Sequence, residues 1–342
     1  MANDNRKVNM RSFKGLVAVA VVMSLLAAGA IVWQFYNFKS TPLSLTTPQV
    51  FEVESGASLS QVASSLKSHG LIAYPRFFAL WGRLEGKAGR LHVGEYRVEP
   101  GMTAQVLLDR MAQGDVIQYS LTLVEGWTFK QMMQAVQANG KLTHTLDSLP
   151  PREIMAKLGV ADEHPEGRFY PDTYNFPAHM TDLDFLKRAY DAMSVRLKQE
   201  WSQRAPELPY KSPDEALIMA SIVERETAVP QEREEIAGVF VRRLQTGMRL
   251  QTDPTVIYGM GDKYDGDIRR HDLLTDTPYN TYTRAGLPPT PIAMPSGEAI
   301  HAALHPATGT SLYFVAKGDG SHYFSATLAE HEAAVRIYQL KQ

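Results

Sequence analysis

The sequence contains no cysteine among its 342 residues. That absence excludes disulfide bonds, thiolate metal sites and a cysteine nucleophile, and it is compatible with an oxidising compartment. The chain has no large excess of positive or negative charge either. Its 35 lysines and arginines nearly equal its 37 aspartates and glutamates in number, which gives a formal net charge of −2. Since no basic stripe is interleaved with aromatic residues either, a nucleic-acid partner is not expected.

Three familiar catalytic patterns are also missing. Ser221 lies inside an apolar helical stretch, and the nucleophile turn G-x-S-x-G does not occur in the chain. His301 and His305 have the i, i+4 spacing of two metal ligands on a helix, but the residues between them lack the glutamate of the zincin motif. The glycine spacing of a phosphate-binding loop is absent as well. We therefore predict no metal site and no cofactor.

The longest hydrophobic run extends from Leu16 to Phe35, about the 20 residues that a bilayer span requires. Only Lys39 follows it closely, so the positive-inside rule places the preceding residues in the cytoplasm and the rest of the chain outside. Small residues at 28–30 would suit a cleaved signal peptide, but the run continues past them through Trp33, which favours a retained anchor. The basic residues before the run are Arg6, Lys7, Arg11 and Lys14.

Length and composition divide the chain into five parts and predict an α+β protein. These parts are a cytoplasmic N-terminus (1–14), a transmembrane helix (15–36), a linker rich in Ser, Thr and Pro (37–48), a small α+β module (49–117) and a larger mixed α+β domain (118–342).

Hydrophobic patterns predict an ordered series of short elements in the small module. The module resembles a LysM-like domain in the order of these elements, although it has no sharp motif. The resemblance implies contact with cell-wall glycan, and a spacer that sets the distance from the membrane is an equal alternative. The predicted elements are strand Phe51–Val53, helices Ser58–His69 and Phe77–Leu84, strand Gly94–Val98 and helix Thr103–Met111.

The larger domain contains loops that combine aromatic rings with amide and hydroxyl groups, as sugar-binding loops do. The segment Gly167–Pro177 (GRFYPDTYNFP) is predicted to border a binding cleft, and Arg249–Gly259 and Tyr279–Tyr282 supply further polar and aromatic groups. For any single residue the alternative is that it only stiffens a loop. A hairpin between Leu312 and Phe324 and a helix over Leu328–Leu340 are predicted to end the domain.

The stretch Ser212–Thr227 (SPDEALIMASIVERET) predicts a helix that carries a carboxylate on its apolar face. Ser212 suits the N-cap, Pro213 the first helical position, and Glu215 the capping box. Glu226 shares a stripe with apolar residues, whereas Glu224 lies roughly 200° away, so only one of them is expected to face the core.

A carboxyl on the buried side should have a raised pKa, which suits a general acid near neutral pH. Glu226 is therefore the candidate catalytic residue. The alternative is structural: the helix ends directly after Glu226, so the side chain could lie in solvent or pair with Arg225 or Arg233.

Five segments in order resemble the endolytic murein transglycosylase (YceG-like) family of Gram-negative bacteria with one N-terminal membrane anchor. They are FYPDTY at 169–174, SIVERET at 221–227, RLQTDPTVIYG at 249–259, YNTY at 279–282 and GLPPTPI at 286–292. The resemblance implies an inner-membrane enzyme with a periplasmic catalytic domain at 118–342. It further implies cleavage of nascent peptidoglycan strands between N-acetylmuramic acid and N-acetylglucosamine, which leaves a 1,6-anhydromuramoyl end. One departure concerns the proline-rich loop, where Ser296 separates Pro295 from the glycine that often follows soon after it.

In that family the glutamate before the threonine of the helix motif is catalytic, and this position is Glu226. We expect it to act as general acid and then as general base, since this chemistry needs no second carboxylate. Rival hypotheses are a non-catalytic glycan-binding scaffold and a muramidase-type hydrolase that adds Asp253 or Glu224. The family also implies contacts with peptidoglycan synthases and division proteins. The predicted substrate-binding residues are Gln251, Asp253, Thr255, Tyr279, Asn280, Tyr282, Tyr174 and Glu224.

Overall fold

A single long helix, α1 (Asp4–Ser40), contains the apolar N-terminal run. A computed structural model describes residues 4–340, with side chains from residue 13; residues 1–3, where the predicted cytoplasmic segment begins, and 341–342 lie outside the described residues. Within the described part, α1 is the one helix long and apolar enough to cross a membrane, over Phe13–Ser40, with a mean hydropathy of 2.6 in an 18-residue window. The predicted membrane-spanning helix therefore has a structural counterpart.

The chain divides into two compact units, Met1–Gln118 and Tyr119–Gln342. In the first unit a two-stranded antiparallel sheet pairs Phe51 with Tyr96 and packs with three helices around an apolar core. After α1, its elements are β1 (Gln49–Val53), α2 (Leu59–Ser68), α3 (Pro75–Leu84), β2 (Gly94–Val98) and α4 (Ala104–Gln113). Each agrees with a predicted element to within a few residues.

The segment predicted as a linker is attached to the first unit. Its first residues continue α1 as far as Ser40, and the rings of Phe35 and Phe38 lie edge-on to Phe77 of α3. Leu43 is buried, and its backbone N–H donates to the carbonyl of Met102 at 2.7 Å. Helix α1 is therefore joined to the module by packing as well as by the chain.

The second unit is mostly helical, with two further two-stranded sheets, β3–β4 and the antiparallel hairpin β5–β6. Short 3₁₀ turns precede α9 and follow α10. The strands are β3 (Gln118–Thr122), β4 (Thr173–Pro177), β5 (Tyr313–Ala316) and β6 (His322–Ser325). The helices are α5 (Phe129–Gln137), α6 (Pro151–Lys157), α7 (Asp182–Ser202), α8 (Pro213–Glu226), α9 (Arg233–Gln245), α10 (Asp253–Met260), α11 (Arg270–Leu274), α12 (Gly297–Leu304) and α13 (Leu328–Tyr338). The predicted α+β class is confirmed.

Helix α8 lies at the centre of this unit, where every residue from Ala216 to Val223 is buried. It packs against α7, α9, α10 and α12, so both sides of the helix are covered. Burial of this run supplies much of the apolar area that stabilises the unit. The position of Glu226 is consequently set by a helix whose central run is wholly buried.

A second cluster of apolar side chains surrounds α5, α7 and β4. Phe169 and Phe176 are fully buried in it, and Tyr174 is 8% exposed. The prediction that Gly167–Pro177 borders a binding cleft is therefore wrong for these rings. The segment is rich in turn-forming residues, and for this reason the sequence did not predict the short strand β4. Alternate side chains of β4 face the core.

Candidate active site

Helix α8 begins at a conventional cap. Ser212 adopts an extended backbone, and its Oγ accepts from the N–H of Glu215 at 3.3 Å, with Pro213 in the first helical position. The Glu215 carboxylate accepts from the N–H of Lys211 at 2.6 Å, one residue before the predicted capping-box partner. The helix ends at Glu226, because Thr227 is extended. A well-defined start and end thus fix where Glu226 points.

The Glu226 carboxyl group lines a cavity of 430 Å³. The Thr252 hydroxyl donates to Glu226 Oε1 at 2.6 Å. Burial raises the pKa of Glu226 to about 7; the Thr252 hydrogen bond works against that shift, and the negative charge of Asp253 adds to it. The group can therefore hold a proton at neutral pH and release it without a large free-energy cost.

The segment after α9 brings further polar groups to the same cavity. Gln251 has φ of +49°, a left-handed conformation that turns the chain into α10, and its N–H donates to the Thr281 carbonyl at 3.2 Å. The Tyr282 hydroxyl donates to Asp253 Oδ1 at 2.5 Å. Gln251, Asp253 and Tyr282 all line the cavity beside Glu226. Four of the residues selected from the sequence thus lie together.

Three other predicted substrate-binding residues are in the interior. Thr255 is fully buried and donates to the Thr252 carbonyl at 2.8 Å. Asn280 is 1% exposed, and its Nδ2 donates to three carbonyls at the end of α11 and just after it, the closest being Thr275 O at 2.7 Å. The Tyr174 hydroxyl donates to the Tyr170 carbonyl at 2.8 Å. Each of these side chains therefore bonds to the backbone of its own domain, and none lines the Glu226 cavity.

Glu224 faces away from Glu226 but is also shielded from solvent. Its Oε2 accepts from the backbone N–H and the hydroxyl of Ser296, at 2.9 and 2.5 Å, and its other oxygen lies 3.8 Å from Arg233. The expectation that only one of the two glutamates faces the interior is wrong, because α8 is covered on both sides. The hydrogen bonds between Ser296 and Glu224 therefore hold the start of α12 against α8.

The far wall of the cavity consists of residues that periodicity did not single out. They belong to the hairpin β5–β6, to α13 and to α9. Arg243 is 7% exposed and donates to the carbonyls of Leu312 and Leu250, at 2.7 and 2.6 Å, and burial lowers its pKa. The wall is made by Arg243, Tyr313, Phe314, His322, Leu328 and His331.

His322 connects this wall to the start of α9. Its Nδ1 lies 2.7 Å from Glu232 Oε2, and its backbone N–H donates to Glu232 Oε1 at 2.9 Å. Ninety positions separate the two residues, so no local pattern in the sequence joins them. The only available sequence signal was the predicted hairpin itself, which did not show what it packs against.

The histidines His301 and His305 lie near the carboxylate of Glu200, and the three offer ligand atoms within 4.8 Å of one another. These groups already contact other protein atoms. His301 Nδ1 is 3.0 Å from Glu200 Oε2, His305 Nε2 is 2.9 Å from the Gln203 carbonyl, and Arg196 pairs with Glu200 at 3.1 Å. The cluster is an ion-pair and hydrogen-bond network between α7 and α12, and none of its members lines the Glu226 cavity.

Comparison with known proteins places these features in a family. The sequence profile of the YceG-like family matches residues 51–337. An endolytic murein transglycosylase of Bacillus subtilis (strain 168) is 31% identical over 319 residues, which are 86% of this chain and 86% of that protein. An endolytic murein transglycosylase of Streptococcus pneumoniae serotype 2 (strain D39) is 26% identical over an alignment that covers 94% of this chain and 64% of that protein.

A solved structure is also similar. The crystal structure of a yceG-like protein from Listeria monocytogenes matches with a TM-score of 0.54 and 29% sequence identity. The match covers 84% of this chain and 98% of that one. Sequence and fold therefore agree on the same relatives.

Proposed function

The chain belongs to the YceG-like family, and from this membership and the geometry around Glu226 we propose that it is an endolytic murein transglycosylase. It cuts peptidoglycan strands internally, between N-acetylmuramic acid and N-acetylglucosamine, and leaves a 1,6-anhydromuramoyl end. The observation that carries the proposal is the position of the Glu226 carboxyl group, hydrogen-bonded to Thr252 and with a pKa raised to about 7, in a polar and aromatic cavity.

Glu226 first acts as the general acid. Because Thr252 donates to Oε1, the proton of the neutral carboxyl group is carried by Oε2. Oε2 protonates the glycosidic oxygen, the bond from that oxygen to C1 of the muramoyl unit breaks, and the N-acetylglucosamine portion leaves with a free 4-hydroxyl. A raised pKa makes this transfer feasible at neutral pH.

The same carboxylate then acts as the base. It takes the proton of the muramoyl C6 hydroxyl while the C6 oxygen forms a bond to C1, so water takes no part and Glu226 returns to its neutral form. The Asp253 carboxylate, held by the Tyr282 hydroxyl, supplies negative charge beside the oxocarbenium-like transition state. Gln251 and Tyr282 hold the sugars in this assignment, and the opposite wall of β5, β6 and α13 supplies rings that pack on sugar faces.

The location of the substrate fits the N-terminal helix. We assign α1 as a single-pass anchor with residues 1–14 in the cytoplasm and both remaining parts of the chain in the periplasm, because basic residues precede the apolar run. The strand–helix–helix–strand order of the first unit supports the LysM-like assignment and hence contact with glycan or a spacer role. Peptidoglycan synthases and division proteins are the partners that the family suggests.

Mass spectrometry of glycan products tests the proposal. Uncross-linked glycan strands are incubated with the full chain in detergent, wild type beside Glu226→Gln. We expect internal fragments with anhydromuramic acid ends from the wild type and a loss of at least about 10²-fold in Glu226→Gln, since the amide cannot donate and then accept the proton. Equal activity of the two chains would contradict the role of Glu226.

The product end separates the proposal from its rivals. A hydrolase with Asp253 as second carboxylate would leave reducing ends, and Asp253→Asn would then abolish cleavage as completely as Glu226→Gln does. The transglycosylase mechanism predicts that Asp253→Asn still yields anhydro ends, at a lower rate. Intact strands with every variant would favour the glycan-binding scaffold.

A further inference from the structure

The second unit contains another cavity, of 770 Å³, that the proposed mechanism does not use. It is built from the same segments as the Glu226 cavity. At the end of α8, Glu226 lines the first cavity and the adjacent Arg225 lines the second. At the start of α10, Asp253 lines the first and Pro254 the second. The two cavities are therefore neighbours in the second unit.

Tyrosine rings form much of the second cavity. Tyr258 and Tyr279 pack against each other with ring centroids 4.8 Å apart, and Tyr264 lines the same space. The Tyr258 hydroxyl donates at 2.9 Å to Glu166, a side chain 4% exposed whose other oxygen accepts from the Phe129 N–H at 2.8 Å. The tyrosine wall is thus held in a fixed position by a buried carboxyl group.

The lining of the cavity is polar, and its two cations both contact protein atoms. Lys130 contacts Asp262 at 2.6 Å, and Arg225 donates to the Gly126 carbonyl at 3.3 Å. The exposed amide of Gln134 and the side chain of Gln131 complete the lining on the α5 side. Rings, side-chain amides and other polar groups suit a ligand with many hydroxyl and amide groups.

We propose that the second cavity binds N-acetylated sugar units of the same glycan strand that the first cavity cleaves. This inference rests on the proposed function, because an enzyme that cuts inside a strand has to hold sugars beyond the two that react. The volume is within the range of about 300–1,000 Å³ that is usual for small-molecule sites. Because adjacent residues of α8 and α10 line the two cavities, consecutive parts of one strand occupy both in this proposal. Tyr279, predicted to bind substrate, contributes to this second site and not to the catalytic one.

Equilibrium binding to glycan without stem peptides tests the proposal. The full chain carrying Glu226→Gln in detergent is titrated with uncross-linked, peptide-free glycan strands, alone and with Gln134→Ala plus Tyr264→Ala. Each lost contact should weaken binding about three- to tenfold, as expected for a net hydrogen bond or ring contact. The matched control is Gln137→Ala, an exposed amide on the same helix outside the cavity, which should bind as the parent does.

The outcomes separate this proposal from the proposed function. Unchanged binding by the double variant would overturn the sugar site even if wild type forms anhydro ends. Weakened binding to peptide-free strands supports it even if the wild-type chain yields no anhydro product, in which case the transglycosylase assignment fails instead.

Discussion

The hydroxyl of Thr252 controls how Glu226 exchanges its proton. Its donation to Oε1 favours the charged carboxylate, so the pKa of Glu226 would lie above about 7 without it. A general acid is active when protonated, and activity falls as the pH rises through its pKa. The Thr252 side chain thus sets the pH at which the acid becomes depleted and also fixes which oxygen carries the proton.

Replacement of Thr252 by valine should therefore move the falling limb of the pH–rate profile to higher pH, by about one pH unit, the size of a hydrogen bond to a charged group. The maximal rate should fall about tenfold, because the carboxyl group is no longer held in one orientation. The measurement is the rate of anhydro-end formation between pH 5 and 9. Thr252→Ser keeps the donor and should retain the wild-type profile; a limb that stays in place or moves to lower pH in Thr252→Val would contradict the argument.

At the scale of single residues, only part of the candidate site could be predicted from the sequence. Helical periodicity pointed to Glu226, which lines the cavity, but it did not anticipate that Glu224 is shielded on the other side of α8. It could not identify Arg243 or His322, since their contacts join residues far apart in the chain. Asn280 shows the opposite error: an amide in a polar loop was expected to bind sugar, yet its hydrogens are used by backbone carbonyls.

At the scale of elements, the shape of the cavity depends on how closely α9 approaches the segment before β5. A Cβ atom added at Gly238 would lie 2.5 Å from the Ala307 carbonyl oxygen. Arg242 donates to this same oxygen at 2.9 Å and to the Ser311 carbonyl at 2.8 Å, which secures the loop that leads to β5. Gly238 thus permits α9 to approach the segment that positions the hairpin wall of the cavity.

We predict that Gly238→Ala destabilises the second unit by about 1–3 kcal/mol, because the backbone carbonyl has to move and a hydrogen bond is strained. For a unit of this size the midpoint of thermal unfolding should fall by about 2–12 °C. The measurement is thermal unfolding of the full chain in detergent. Gly140→Ala is the matched control, since nothing lies within 4 Å of its added Cβ. An equal midpoint for both variants would show that the loop adapts freely.

The elements themselves were largely predictable, whereas their packing was not. The hairpin β5–β6 and helix α13 agree with prediction, because alternation, a glycine turn and a capped helix are local signals. Their position across the cavity from Glu226 depends on long-range contacts such as that between His322 and Glu232. Strand β4 was missed because it is only five residues long within a turn-rich segment.

For the whole molecule, the proposed function requires the second unit to lie on the side of the membrane where peptidoglycan is found. The single apolar helix and the basic residues before it predict this orientation. The absence of cysteine makes a direct test possible, because any single cysteine introduced into the chain is its only thiol. Labelling by a membrane-impermeant maleimide then reports the location of that one position.

We predict that Val195→Cys, at a side chain 67% exposed on α7, is labelled in intact spheroplasts. Asn5→Cys, in the predicted cytoplasmic segment, should be labelled only after the membrane is disrupted. The unsubstituted chain should stay unlabelled under both conditions and serves as the control. The reverse pattern would place Glu226 in the cytoplasm, away from the glycan strands, and would overturn the assigned substrate. Labelling of both positions in intact spheroplasts would contradict a retained anchor with a cytoplasmic N-terminus.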